Sequence, residues 1–301
     1  MKSEIKVRGT VSTSRALSKG LFRLIHKIDL TSGWSALSYD YDDSLQKFSD
    51  SSVESVHIDT LELDAEPGDF ISVINNKARL VYSERFSSNT VFATVRCNSN
   101  CIMCSQPPLE VDDGVFNLSM WYVILGEIKP NEVARLGISG GEPTLLGDHL
   151  VDFLNFALSL HSNLVFDVLT NGRVIGQREG LRMLSRIDSP NRIQFCIPVY
   201  SGVSSRHDFI VQSKTSFWDT INAFYNANMF GFKTEVRLVV QKATVEHLNY
   251  FVSFVEKNLW FIDHLAVMGL EQVGYAKSKF DEIDVTNSLS GDITFRSALI
   301  E

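Results

Sequence analysis

The sequence predicts an α/β protein in which parallel strands alternate with helices, and three observations predict it. Six short apolar runs begin at intervals of about 27 to 43 residues, the length of one strand, one crossover helix and two loops. Between them lie longer segments, some with apolar residues every three or four positions. The most distinctive motifs follow directly on the apolar runs, at the C-terminal ends of parallel strands, where loops and free amides gather ligands.

In chain order, residues 1–88 read as an accessory region. It holds a helix-like run over 15–28, a polar stretch over 35–55, and a β-hairpin whose strands, 70–74 and 78–82, flank Asn75-Asn76. A Ser-rich linker, 83–89, leads into the first strand of the core, 91–95. The further strands are expected at 134–138, 164–169, 192–199, 235–240 and 262–267, with helices at 118–128, 145–161, 177–187, 217–229 and 245–258. The core is bounded at 89–276, with a short C-terminal extension over 277–301. A closed eight-stranded barrel needs two more units, and a doubly wound sheet needs a reversal of strand order; periodicity decides neither.

Composition sets the class. With 301 residues, 44% hydrophobic and 21% charged, the chain can bury a core without disulfides, and collagen, coiled coil and wholesale disorder are excluded. Lys and Arg number 28 against 36 Asp and Glu, a net charge of -8, which argues against nucleic acid or an anionic membrane as the main partner. No run approaches the roughly 18 apolar residues of a membrane span. Residues 21–28 are apolar-rich, but Arg23, His26 and Lys27 interrupt any signal-peptide core, so the expected location is the cytoplasm.

Chemistry enters with the cysteines. Cys97-Asn-Ser-Asn-Cys101-Ile-Met-Cys104 places three thiols in a short loop after a strand, a spacing that suits one metal centre. Both tetrahedral zinc and an iron-sulfur cluster accept thiolates. A closed zinc site needs a fourth Cys or His, yet the next cysteine, Cys196, lies 92 residues on; a cluster held by three cysteines leaves one iron open. Ser139-Gly140-Gly141-Glu142-Pro143-Thr144 follows the second strand, with paired glycines that permit close approach of a ligand. Leu169-Thr170-Asn171-Gly172 ends the third, and Pro198-Val199-Tyr200-Ser201-Gly202 the fourth. Arg237 interrupts the fifth, and Met268-Gly269-Leu270-Glu271-Gln272-Val273-Gly274 follows the sixth.

Together the C-x3-C-x2-C loop and Gly-Gly-Glu-Pro resemble the radical S-adenosylmethionine superfamily, over roughly residues 92–276. The resemblance implies a partial (β/α)6 barrel. It implies a [4Fe-4S] cluster on Cys97, Cys101 and Cys104, with S-adenosylmethionine at the open iron. One-electron reduction would then yield a 5'-deoxyadenosyl radical that abstracts hydrogen from substrate. It further implies that Gly140, Gly141 and Glu142 hold the methionyl amino group, that Ser201 contacts the cofactor, and that Met268, Gly269 and Leu270 bracket adenine. Two roles have competing readings. Asn171 is a cofactor ligand or part of an ordinary Asn-Gly turn, and Arg237 meets the cofactor carboxylate or pairs with Glu235. Met103 departs from the aromatic residue that many members carry there. His207-Asp208 reads as a loop histidine and a helix-capping aspartate rather than an acid-base pair.

The stretch Arg96-Cys97-Asn98-Ser99-Asn100-Cys101-Ile102-Met103-Cys104-Ser105-Gln106-Pro107-Pro108 is more particular. It resembles the radical maturase of the His-Xaa-Ser system, which implies post-translational modification of a precursor peptide or small repeat protein. The implied associates are a second radical maturase and an external electron donor. A small-molecule substrate, and a catalytically silent iron-sulfur or zinc module that only binds a partner, are the alternatives.

Overall fold

A computed structural model describes residues 8–13, 19–27, 33–42, 45–48, 52–58, 65–74 and 77–283. Its first seven strands are β1 (Arg8–Thr13), β2 (Lys19–Lys27), β3 (Gly33–Asp42), β4 (Lys47–Phe48), β5 (Ser52–Ile58), β6 (Phe70–Ile74) and β7 (Lys77–Tyr82), all paired antiparallel. Strand β2 bonds both β6 and β3, and β6-β7-β1-β5-β3 completes the ring, so six strands close on themselves and leave β4 as a flap on β3. Closure removes the exposed edges that an open sheet would present.

The expected hairpin is thus β6 and β7, two staves of a larger barrel; Asn75-Asn76 lies outside the described residues. The helix-like run over 15–28 is corrected to strand β2, with residues 15–18 and 28 outside the description. The reason is burial on both faces: Phe22 and Leu24 fill the small barrel's core with Ile71, Val73 and Leu80, while neighbouring Leu21 joins the main core. A strand covered on both sides loses its alternation and imitates a helical period.

Segment 83–89 is a fixed corner rather than a linker. The Asn89 side chain accepts from Ser83 N at 3.1 Å and donates to Ser83 O at 3.0 Å. Tyr82 then sets its ring edge-on to Trp121, 6.2 Å away, and Phe48 meets Phe116 at 5.9 Å, so the small barrel is packed against the rest of the chain.

The remaining strands, β8 (Asn89–Phe92), β9 (Arg135–Ser139), β10 (Val165–Leu169), β11 (Ile193–Pro198), β12 (Lys233–Val239) and β13 (His264–Met268), are parallel and stand side by side in chain order. No order reversal occurs among them, which removes the doubly wound alternative and leaves an α/β partial barrel of six units. Helices α1 (Gly114–Glu127), α2 (Asp148–Leu160), α3 (Arg178–Leu184), α4 (Ser204–Val211), α5 (Ser216–Met229), α6 (Lys242–Val245), α7 (Leu248–Asn258) and α8 (Tyr275–Ile283) follow the strands. The sequence reading found five of these and missed α4, α6 and α8. Residues 284–301 of the expected extension lie outside the description. Among the described residues no helix is long and apolar enough to cross a membrane.

The two faces of the parallel sheet differ. Leu136, Ile138, Phe166, Val168, Phe195, Ile197, Val236 and Leu238 are buried in the main core, burying apolar surface worth about 25 cal/mol per Å². Alternation puts Gly137, Asp167, Gln194, Glu235 and Arg237 on the other face, where Arg135 pairs with Asp167 at 2.5 Å and Gln194 donates to Glu235 at 3.3 Å. Register keeps the strand exits level, with Phe92 opposite Ser139, Leu169 opposite Cys196 and Val239 opposite Met268.

Candidate cofactor site

The level exits bring every predicted motif to one mouth, and the cysteine loop sits at its centre. From the second exit, Glu142 N donates to Arg96 O and Gly141 N to Thr94 O, both at 2.7 Å. From the third, Asn171 Nδ2 donates to Asn98 Oδ1 at 2.6 Å. From the fourth, the C-terminal carbonyls of α4 take the loop's amides, Ile210 O from Ile102 N at 3.0 Å and Val211 O from Asn100 N at 3.1 Å. Gln241, beyond the fifth strand, reaches Met103 Sδ at 4.0 Å. Past the sixth, Tyr275 N donates to Cys104 O at 2.8 Å. All five other exits therefore hold the loop.

The glycines explain how closely these segments approach. A Cβ on Gly141 would lie 2.1 Å from Arg96 O, and one on Gly274 would lie 2.2 Å from Cys104 O. Both positions are reserved for backbone-to-backbone packing against the cysteine loop. The paired glycines expected to admit a ligand thus also admit the loop that would hold the metal.

Glu142 is fully buried and its carboxylate is engaged within the protein. Oε1 accepts from Thr144 N at 3.0 Å, Thr144 Oγ1 at 2.5 Å and Thr170 Oγ1 at 2.6 Å, and Oε2 accepts from Asn171 N at 2.6 Å. Burial pushes the carboxyl above its ordinary range, while these bonds pull it down. Both oxygens accept an amide N–H, the geometry of a carboxylate. Glu142 ties the second exit to the third.

The other predicted residues fall at the same mouth with distinct local partners. The Asn171 side chain bridges, with Nδ2 on Asn98 and Oδ1 accepting from Arg173 N at 3.0 Å. Ser201, buried at the fourth exit, accepts from Val203 N at 3.1 Å. Arg237 Nε donates to Glu235 Oε1 at 2.5 Å, the partner that one of its two readings named. Met268 ends β13 and its carbonyl accepts from Val240 N at 2.8 Å; Gly269 and Leu270 follow, Leu270 packing on the main core. Asp208 accepts from Thr215 N and Phe217 N, both at 2.8 Å, so it caps α5, and His207 is buried behind Tyr200, away from acid-base work.

No family model matches the chain. A segment is 40% identical over 78 residues to 7-carboxy-7-deazaguanine synthase of Clostridium acetobutylicum, covering 26% of this chain and 34% of that protein. Among solved structures, SuiB of Streptococcus suis bound to S-adenosylmethionine superposes with a TM-score of 0.52 at 21% identity, over 66% of this chain and 43% of that one. A second SuiB structure gives 0.51 at 21% identity, over 65% and 42%. This is the radical S-adenosylmethionine fold. The matched parts span less than half the length of each of these relatives.

Within the radical S-adenosylmethionine fold the cysteine loop suits an iron-sulfur cluster. Burial pushes the Cys97 thiol up to about 11 and Cys101 up to about 12, and raises Cys104; Glu142 and Cys104 add to the rise at Cys97, and Cys104 and Cys97 to that at Cys101. Half-buried thiols of this kind keep their protons until a soft metal centre displaces them. Among the described residues no three His, Cys, Asp or Glu side chains are grouped as round a single ion. A cubane asks for no such convergence, since each cysteine binds a different iron.

Sequence reasoning missed two residues here. Asp113 accepts from Thr94 Oγ1 at 2.8 Å and Val95 N at 3.0 Å, bracing the strand exit just before Cys97; its position ahead of an apolar helix was a capping signal. Arg173, directly after Thr-Asn-Gly, donates from Nη1 to Asn98 O, and nothing local in the sequence marks it.

Proposed function

We propose that this chain is a cytoplasmic enzyme that holds a [4Fe-4S] cluster on Cys97, Cys101 and Cys104, binds S-adenosylmethionine at the open iron, and modifies a ribosomally made peptide or protein. The observation that carries this reading is the convergence of five strand exits on a loop of three thiols with no fourth ligand among its residues. When bound, cluster and S-adenosylmethionine supply one-electron reductive cleavage of a carbon-sulfur bond, for which an external donor provides the electron.

The chain's own residues bind and orient. Residues 89–276 form the catalytic core in this reading. With the Glu142 carboxylate already engaged, backbone carbonyls of Gly140 and Gly141 are the acceptors assigned to the methionyl ammonium. Asn171 and Ser201 line the mouth, Arg237 offers its remaining guanidinium N–H groups to a carboxylate, and the backbone at Met268, Gly269 and Leu270 brackets the adenine. The polar sheet face carrying Asp167, Gln194, Glu235 and Arg237 lies below that mouth and suits a polar substrate.

The wording of residues 96–108, similar to the maturase of the His-Xaa-Ser system, supports a peptide substrate, with His-Xaa-Ser repeats as the first candidate and a second radical maturase as an associate. The segmental identity to a deazaguanine synthase favours a small heterocycle as the second reading. Coexpression with the repeat protein, followed by intact-mass measurement, separates them: a mass change that disappears in Cys101→Ala supports peptide modification, and an unchanged mass in the presence of active enzyme counts against it. Each of Cys97→Ala, Cys101→Ala and Cys104→Ala is expected to abolish stable cluster incorporation, read as iron and sulfide per chain; a variant that keeps both rejects its ligand role.

A further inference from the structure

The third strand exit grips the cysteine loop with two side chains, one of them a cation. Gly172, at φ +78°, turns the chain so that Asn171 and Arg173 both face residue 98. Asn171 Nδ2 holds the Asn98 side chain, and Arg173 Nη1 holds the Asn98 carbonyl, one residue from Cys97. Arg173 is largely buried, with 16% of its side chain exposed, and its Nε is buried without a hydrogen-bond partner. Its ion-pair partner is Asp219 in the first turn of α5, whose Oδ2 stands 3.9 Å from Nε and accepts from Gln177 Nε2 at 2.9 Å.

A guanidinium cannot shed its proton, and desolvating one whose carboxylate partner stands 3.9 Å away, beyond hydrogen-bond reach, costs free energy. A turn could hold Asn98 with a neutral donor. A buried cation at this place has a use if negative charge collects on the adjoining loop, as it does when three thiolates hold a cluster and an electron is added to it. Resting on the cluster reading above, we propose that Arg173 is a positioning residue that fixes the Cys97 end of the loop and raises the reduction potential of the cluster bound there. Asp219 opposes it and sets how much of that charge the cluster feels.

The test is an EPR-monitored redox titration of the anaerobically reconstituted full chain. In Arg173→Gln the equilibrium constant for one-electron reduction is expected to fall about tenfold, which is ~59 mV lower. Arg173→Lys restores the charge and should return to within about threefold of the parent. Asp219→Asn removes the opposing charge and should raise the equilibrium constant for reduction about threefold, moving the potential upward, a sign that simple loosening of the loop does not produce. A glutamine variant whose potential matches the parent overturns the proposal, as does a lysine variant as low as the glutamine one. If Arg173→Gln takes up no cluster, Asp219→Asn decides alone, and an unmoved potential there overturns it. Failure of the parent chain to bind a cluster or to cleave S-adenosylmethionine would instead strike at the proposed function, and the parent control reads that separately.

Discussion

At the scale of single residues, the site is built from side chains that hold other parts of the protein before they hold any ligand. Glu142 shows it best, because its four donors come from two strand exits and two of them are amides. Replacing one carboxylate oxygen with an amide nitrogen sets donor against donor inside a fully buried network. Glu142→Gln is therefore expected to lower the unfolding free energy by about 2–3 kcal/mol, measured by urea denaturation; an unchanged midpoint would show that the network can rearrange around it. His207 gives a pH prediction. It is 1% exposed, its Nδ1 accepts from Tyr200 N at 3.4 Å, its Nε2 has no hydrogen-bond partner, and burial pushes its imidazole down to about 4 against an opposing pull from Asp208. Between its ordinary value near 6.5 and about 4 the unfolded chain takes a proton that the folded chain refuses. Stability is therefore whole above pH 6.5 and falls as pH drops through that window, by on the order of 3 kcal/mol. His207→Phe should shrink the difference in stability between pH 7 and pH 5, and an equal difference in both proteins would refute the assignment.

At the scale of elements, glycine and capping choices decide how closely the loops approach. Gly141→Ala would drive a methyl into Arg96 O, one residue before the first cysteine, while a Cβ on Gly126 in α1 meets nothing within 4 Å. Reconstituted Gly141→Ala is expected to carry less than half the iron of the parent, with Gly126→Ala unchanged as its control; equal iron in both would mean that the loop tolerates the displacement. The parallel strands were legible because each is short, apolar and followed by a motif that breaks it. Their polar alternation at Asp167, Gln194, Glu235 and Arg237 was written in the sequence too, but a period of two over five residues is easily lost in an apolar run. Helix α4 escaped because Ser204–Val211 is short and polar on most sides, and β2 escaped because both its faces are covered. The local motifs named the residues at the mouth, whereas the contacts of Asn171, Arg173 and Glu142 depend on which exits become neighbours, which periodicity does not encode.

At the scale of the whole molecule, a closed six-stranded antiparallel barrel among the described N-terminal residues meets an open six-unit parallel sheet whose mouth carries every motif. Tyr82 of β7 and Phe48 of β4 pack onto α1, at Trp121 and Phe116, so this side of the N-terminal strands joins the main core. The same helix carries at its head Asp113, which braces the strand exit before Cys97. The central claim is that the three thiols at the mouth hold a cluster with one iron open to S-adenosylmethionine. The most direct measurement is anaerobic reconstitution of the full chain, iron and sulfide analysis, and assay of reductive S-adenosylmethionine cleavage. The account predicts about four irons and four sulfides per chain, as one cubane requires, and release of 5'-deoxyadenosine on reduction. A chain that binds a single zinc ion through these thiols, or that carries the cluster and releases no 5'-deoxyadenosine, would contradict it.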